Sequence, residues 1–217
     1  MNRVAPVPEL IAGPAGPLEA LIEEPAAGRG PPRLAAVVCH PHPLYGGTLH
    51  NKVVYTLARE LGAGGSGATV RFNFRGVGAS AGSHDGGAGE TADALAVAGW
   101  ARARWPGAPL VLAGFSFGAA IAIRAAAAAQ PQWLVCVAPA VDRVDLAGLA
   151  LPHCDWLIVQ GEADDVVEPA AVQAWAARSA PQARVRLLAG VGHFFHGRLH
   201  QLKDCIREEW PVAMPLR

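Results

Sequence analysis

The stretch LVLAGFSFGAAIAIRAAAAA, Leu110 to Ala129, decides the fold. Leu110–Phe115 is a short apolar run and reads as a buried strand. Gly118–Ala129 is rich in alanine, the best helix former, and reads as a helix. Between them stands Gly114-Phe115-Ser116-Phe117-Gly118, a G-x-S-x-G turn. A serine on a sharp strand-to-helix turn has a strained backbone and a hydroxyl lifted clear of the sheet. Side chains in place of the flanking glycines would collide with the adjoining helix and strand. The helix N-terminus favours negative charge at the turn. This context makes Ser116 a candidate nucleophile; the plainer alternative is a serine that only caps a helix.

Outward from this unit the chain alternates. Leu18–Glu24, Leu34–Cys39, Thr69–Phe74, Trp133–Ala138, Trp156–Gln160 and Arg184–Leu188 read as strands. Asn51–Leu61, Gly89–Trp105, Pro169–Ser179 and about Phe194 to Glu209 read as helices. Pro25–Pro32 reads as a loop and Gly62–Gly67 as a turn. Nearly continuous apolar strands separated by helices imply a mostly parallel sheet with helices on both faces. The 217 residues suit a single domain spanning 1–217.

Composition narrows the classes. Lys plus Arg and Asp plus Glu are both 18, and basic residues form no run, so nothing steers the chain to nucleic acid. Met1–Leu10 lacks the apolar core of a signal peptide, and no apolar stretch is long enough for a membrane span. Cys39, Cys136, Cys154 and Cys205 form no C-x-x-C pair and read as buried thiols, pointing to the cytoplasm. Gly62–Gly67 precedes a strand and lacks a G-K-[ST] ending, which argues against a phosphate cradle.

A serine hydroxyl needs a base, and the base needs an orienting acid. Glu162, Asp164 and Asp165 follow a strand and precede a helix, at the sheet edge where α/β sites form. His193 follows the last strand in Gly190-Val191-Gly192-His193-Phe194-Phe195 and offers an imidazole as general base. The alternative is a histidine that merely packs the last helix. His196 and His200 could face a metal from one helix side, but no third ligand accompanies them. No metal and no cofactor is expected.

An oxyanion needs backbone N–H donors. The residue after the nucleophile, Phe117, supplies one. The loop Cys39-His40-Pro41-His42-Pro43-Leu44-Tyr45-Gly46-Gly47 supplies the other, and its prolines have no N–H. His42 and Leu44 remain. When the helix that follows is aligned, His42-Pro43 resembles the His-Gly that α/β-hydrolases carry at this place, and that resemblance implies Leu44. His40 and His42 read as parts of a rigid hydrogen-bonded loop rather than as metal ligands.

These segments resemble the α/β-hydrolase superfamily from about residue 33 to 200. Gly161-Glu162-Ala163-Asp164-Asp165-Val166-Val167-Glu168-Pro169 resembles its G-x-x-D-x-[VI]-V-x-P segment, which selects Asp164 as the acid. The histidine segment resembles its G-x-x-H-F-F. Arg75-Gly76-Val77-Gly78-Ala79-Ser80 resembles its R-G-x-G-x-S turn, mainly a structural device. H-P-H-P-L-Y-G-G-T resembles a group of small bacterial α/β-hydrolases akin to dienelactone hydrolases, although those use cysteine where this chain has Ser116. Haloalkane and epoxide hydrolases would need aspartate at 116.

Only about 17 residues, 139 to 155, join the strand at Trp133 to the strand at Trp156, leaving no room for a lid. The expectation is a lidless serine hydrolase, monomer or homodimer. It would cleave small acyl esters through Ser116, His193 and Asp164 by an acyl-enzyme. Thioesters or peptides are the alternative substrates, and a non-catalytic binding protein is the alternative class.

Overall fold

A computed structural model describes residues 6–25, 30–62 and 66–209. Parts of the expected N-terminal stretch, of the 25–32 loop and of the 62–67 turn lie outside them. Eight strands form one sheet in the order β1-β2-β4-β3-β5-β6-β7-β8. They are β1 Val7–Gly13, β2 Gly16–Glu23, β3 Ala35–Cys39, β4 Ala68–Phe72, β5 Leu110–Phe115, β6 Trp133–Val137, β7 Asp155–Gly161 and β8 Arg184–Leu188. From β4 to β8 every pairing is parallel. β1 and β2 are antiparallel, and β2 joins β4 antiparallel. β1 is absent from the sequence reading. Its proline and glycine mask a strand that is held as one edge of the sheet, where proline is tolerated.

The helices are α1 Lys52–Leu61, α2 Ala88–Arg104, α3 Phe117–Ala129, α4 Pro169–Ser179 and α5 Leu199–Glu209. Alternate residues of each strand face opposite sides. Ala35, Val37 and Cys39 of β3 join a core that includes residues of α2, α3 and α4. Ala36 and Val38 join a second core with Val53, Val54 and Leu57 of α1 and Leu202 and Ile206 of α5. Helices therefore cover both faces, in an α/β-hydrolase fold. α1 illustrates the local logic. Its buried residues recur at helical spacing, and the Asn51 side chain accepts the Val53 N–H at 2.9 Å to cap the first turn.

The last helix begins later than its sequence pattern predicts. Residues 194–198 form turns, with Phe195 at φ +52° and Gly197 at φ +67°. Two left-handed residues within three cannot continue a right-handed helix. The 17 residues from 138 to 154 contain no helix or strand, so no lid stands over the sheet. Among the described residues no helix is long and apolar enough to cross a membrane. All four cysteines are free, and burial pushes each thiol up, which keeps them protonated at neutral pH.

Candidate active site

Three strand ends and the segments after them build the site. Ser116 follows β5 at φ +57° and ψ −119°, a conformation costing a non-glycine residue about 1–3 kcal/mol. The surroundings impose it. Its N–H donates to the Val137 carbonyl at 2.9 Å, and its carbonyl accepts from Ala119, Ala120 and Ala140. A Cβ on Gly114 would run into the Gly118 backbone, and one on Gly118 into the carbonyls of Cys39 and His40. Both glycines of the motif are therefore required by close backbone approach, one to α3 and one to the end of β3.

The acid and the histidine arrive on two loops packed on each other. Gly161 ends β7 where a Cβ would strike the Val191 carbonyl, and Ala163 donates its N–H to that same carbonyl at 3.0 Å. Phe195 turns its ring into the core, 6.3 Å from Phe115, and anchors the histidine loop. His193 lies over Phe115 with ring centroids 5.0 Å apart.

The resulting contacts form a line. His193 Nδ1 is 2.8 Å from Asp164 Oδ2, and His193 Nε2 is 3.1 Å from Ser116 Oγ. Asp164 Oδ1 accepts the N–H groups of Val166 at 2.9 Å and Val167 at 2.8 Å. Burial works against charge on Asp164, but the hydrogen bonds from His193 and these two N–H groups outweigh it and hold the carboxyl below its usual range. An ionised Asp164 requires the proton of a neutral His193 to sit on Nδ1, which leaves Nε2 free to accept from the serine. Asp164 is buried in this line; Glu162 and Asp165 are exposed and outside it.

Gln160 completes the acid's surroundings and was missed as a site residue in the sequence. It is fully buried, and its Nε2 donates to Asp164 Oδ2 at 3.0 Å and to the Val167 carbonyl at 3.2 Å. The available signal was a polar residue closing the apolar run Trp156–Val159.

At Leu44, one of the two loop residues expected to offer an oxyanion donor, the structure shows a local partner. Pro43–Tyr45 form one 3₁₀ turn, and the His42 ring caps it: Nδ1 accepts the Leu44 N–H at 3.2 Å. Leu44's donor is thus engaged by the preceding histidine, a contact that alignment of the following helix cannot reveal. Phe117 is the first residue of α3, where N–H groups have no partner within the helix. The His42 ring lies 4.9 Å from that of Phe117, which brings the His42 segment beside the elbow.

The remaining histidines have other roles. His40 is buried, with Nδ1 2.6 Å from the Pro41 carbonyl and Nε2 accepting the Phe74 N–H at 3.0 Å, so both ring nitrogens are used. His196 precedes α5 and contacts Lys52 Nζ at 3.0 Å, so it shares no helix face with His200. Arg75 ties its turn to α2 through two guanidinium bonds to the buried Asp93 carboxylate, at 2.8 and 3.0 Å, and a third from its backbone N–H at 3.0 Å. Gly78 has φ +57° and packs where a Cβ would meet Glu19 and Asn73.

Comparison with known proteins agrees with this architecture. Residues 30–152 match the family described as serine aminopeptidase, S33. An uncharacterized Rickettsia prowazekii protein, RP471, is 33% identical over 207 residues, covering 90% of this chain and 85% of that protein. The crystal structure of XC6422 from Xanthomonas campestris, described as an α/β serine hydrolase without a lid, is 40% identical with a TM-score of 0.89, covering 99% of each chain. An α/β serine hydrolase homologue from Coxiella burnetii is also 40% identical with a TM-score of 0.89, covering 97% of this chain and 100% of that one. The chain belongs to the serine aminopeptidase S33 family of α/β-hydrolases, and it is a small lidless serine hydrolase of that fold.

Proposed function

We propose that this hydrolase cleaves small acyl esters by way of an acyl-enzyme, with Ser116 as nucleophile, His193 as general base and acid, and Asp164 as orienting carboxylate. One observation carries the reading: Ser116 Oγ, both His193 ring nitrogens and Asp164 Oδ2 form an unbroken hydrogen-bonded line at the ends of separate strands. Ser116 Oγ attacks the acyl carbon while its proton passes to His193 Nε2. The negative oxygen of the tetrahedral intermediate is met by the N–H of Phe117 and, in place of Leu44, by the N–H of His42. The carbon–oxygen bond to the alcohol then breaks, and His193 returns the proton to the leaving oxygen. Water attacks the acyl-enzyme with His193 again taking a proton, and Ser116 Oγ departs with it. Asp164 remains a carboxylate and stabilises the imidazolium that forms at each step.

The test pairs a fluorophosphonate probe with a substrate panel. Labelling of the protein and not of Ser116→Ala, with turnover of p-nitrophenyl acetate or butyrate, is the expected result. Absence of labelling at residue 116 overturns the reading. Acyl-CoA thioesters and amino-acid amides in the same panel decide between ester, thioester and peptide bonds.

A further inference from the structure

Resting on the serine-hydrolase reading, we infer that the site takes aromatic esters, the ring of the leaving alcohol packing on Phe194 and a flat acyl group on the Leu44–Tyr45 face. Six large apolar side chains are exposed among the described residues. Three of them border the segments that hold the site: Leu44 and Tyr45 belong to the turn capped by His42, whose ring meets that of Phe117, and Phe194 packs on the His193 ring. Their exposures are 70%, 84% and 50%. A cluster of exposed apolar groups around reacting atoms marks a binding surface more often than scattered ones do.

Aromatic contacts run outward from the nucleophile on both sides. Phe194 stands edge-on to His193, ring centroids 5.0 Å apart and planes at 88°. On the other side Phe117 contacts His42 at 4.9 Å, and His42 contacts Tyr45 at 4.8 Å. Both outer rings are held outward by their backbones. Phe195, at positive φ, occupies the core beneath the histidine loop and so denies that place to Phe194. Tyr45 ends a 3₁₀ turn closed by Gly46 at φ +78°.

Proton transfer assigns the two faces. His193 must hand its proton to the leaving oxygen, so the alcohol lies on the His193 side, against Phe194. The carbonyl oxygen faces the N–H groups of Phe117 and His42, and we place the acyl group beside it, along the turn that carries Leu44 and Tyr45. With no lid to enclose a substrate, these exposed faces must supply its apolar contacts, and aromatic side chains select flat rings through edge and face geometry.

Two matched pairs test this. Benzyl acetate and cyclohexylmethyl acetate differ only in whether the alcohol's ring is aromatic; methyl 3-phenylpropanoate and methyl 3-cyclohexylpropanoate differ likewise in the acyl group. The aromatic member of each pair should show kcat/KM about fivefold higher. Phe194→Leu, which keeps apolar bulk without a ring, and Phe194→Ser should both erase the preference in the first pair only. Tyr45→Ser should erase it in the second only. Leu10→Ser, on the far edge strand, should change neither ratio. Equal rates within both pairs, or no turnover of these esters while the fluorophosphonate still labels Ser116, overturns the inference and leaves the hydrolase reading standing. Loss of labelling as well overturns both.

Discussion

Gln160 donates a hydrogen bond to the same oxygen of Asp164 that His193 engages: Nε2 lies 3.0 Å from Oδ2, and His193 Nδ1 lies 2.8 Å from it. The other carboxylate oxygen is filled by two backbone N–H groups. Asp164 is therefore fixed in rotation by its neighbours, and in the proposed mechanism Gln160 would act on the reaction through it. Gln160→Met, which keeps the volume and removes the donor, should lower kcat about tenfold with little change in KM, as expected for one hydrogen bond to a charged group. An unchanged kcat in steady-state assays would limit Gln160 to packing.

Ser116→Ala and His193→Ala should each lower kcat by about 10⁴-fold or more, because the three groups act as a unit. Asp164→Asn should cost nearly as much through the wrong histidine tautomer. Asp165→Asn should cost almost nothing. Steady-state rates of the four variants on one ester decide the acid; reversal of the last two would move it by one residue.

The His42 ring caps the turn that follows it, and the N–H of His42 is the one proposed for the oxyanion. His42→Asn retains an oxygen able to accept the Leu44 N–H, whereas His42→Leu does not. Loss of a cap costs about 1 kcal/mol, so the leucine variant should lose about fivefold in kcat and the asparagine variant much less. Equal losses in both, measured on a small alkyl ester, would show that the ring does not hold the turn.

His40 sets a pH dependence of stability. Burial lowers its pKa from 6.5 to about 4. The unfolded chain therefore binds a proton below pH 6.5 that the folded chain refuses until about pH 4. Stability falls as pH drops through that window, by on the order of 3 kcal/mol from this group, and levels off below it. Asp164, depressed below 3.8, keeps its contribution above that value and loses it only as pH falls through its own folded value, outside the window. Urea midpoints between pH 7 and 4.5 should fall for the native protein and fall less for His40→Gln. Parallel slopes would remove His40 as the cause.

With no lid to open, the rate on a water-soluble ester series should rise smoothly through the micellar limit. A sudden increase at that limit, followed by initial rates against ester concentration, would contradict an open site.

The order of elements from β2 onward, the elbow around Ser116 and the loops that bear Asp164 and His193 were legible because each rests on local chemistry. Leu110–Phe115 and Gly118–Ala129 carry their apolar and alanine-rich character in neighbouring residues, and Gly114 and Gly118 announce a turn whose flanks admit no side chain. Family-like spacing selected Asp164 from three acids. The fold of the Leu44 turn was not legible, since it depends on where one ring nitrogen of His42 points. Gln160 looked like an interruption of an apolar strand, because its partners come from the loop beyond β7. The N-terminal β1 was hidden for a similar reason: an edge strand is stabilised by its neighbour β2 more than by its own residues. Sequence thus determined which chemical groups the chain carries and the elements that bear them. Only the tertiary structure decided which donor meets which acceptor, because the two hydrogen bonds that join His193 to Asp164 and to Ser116 link residues 29 and 77 positions apart, and their ångström-scale geometry exists only after the sheet has formed.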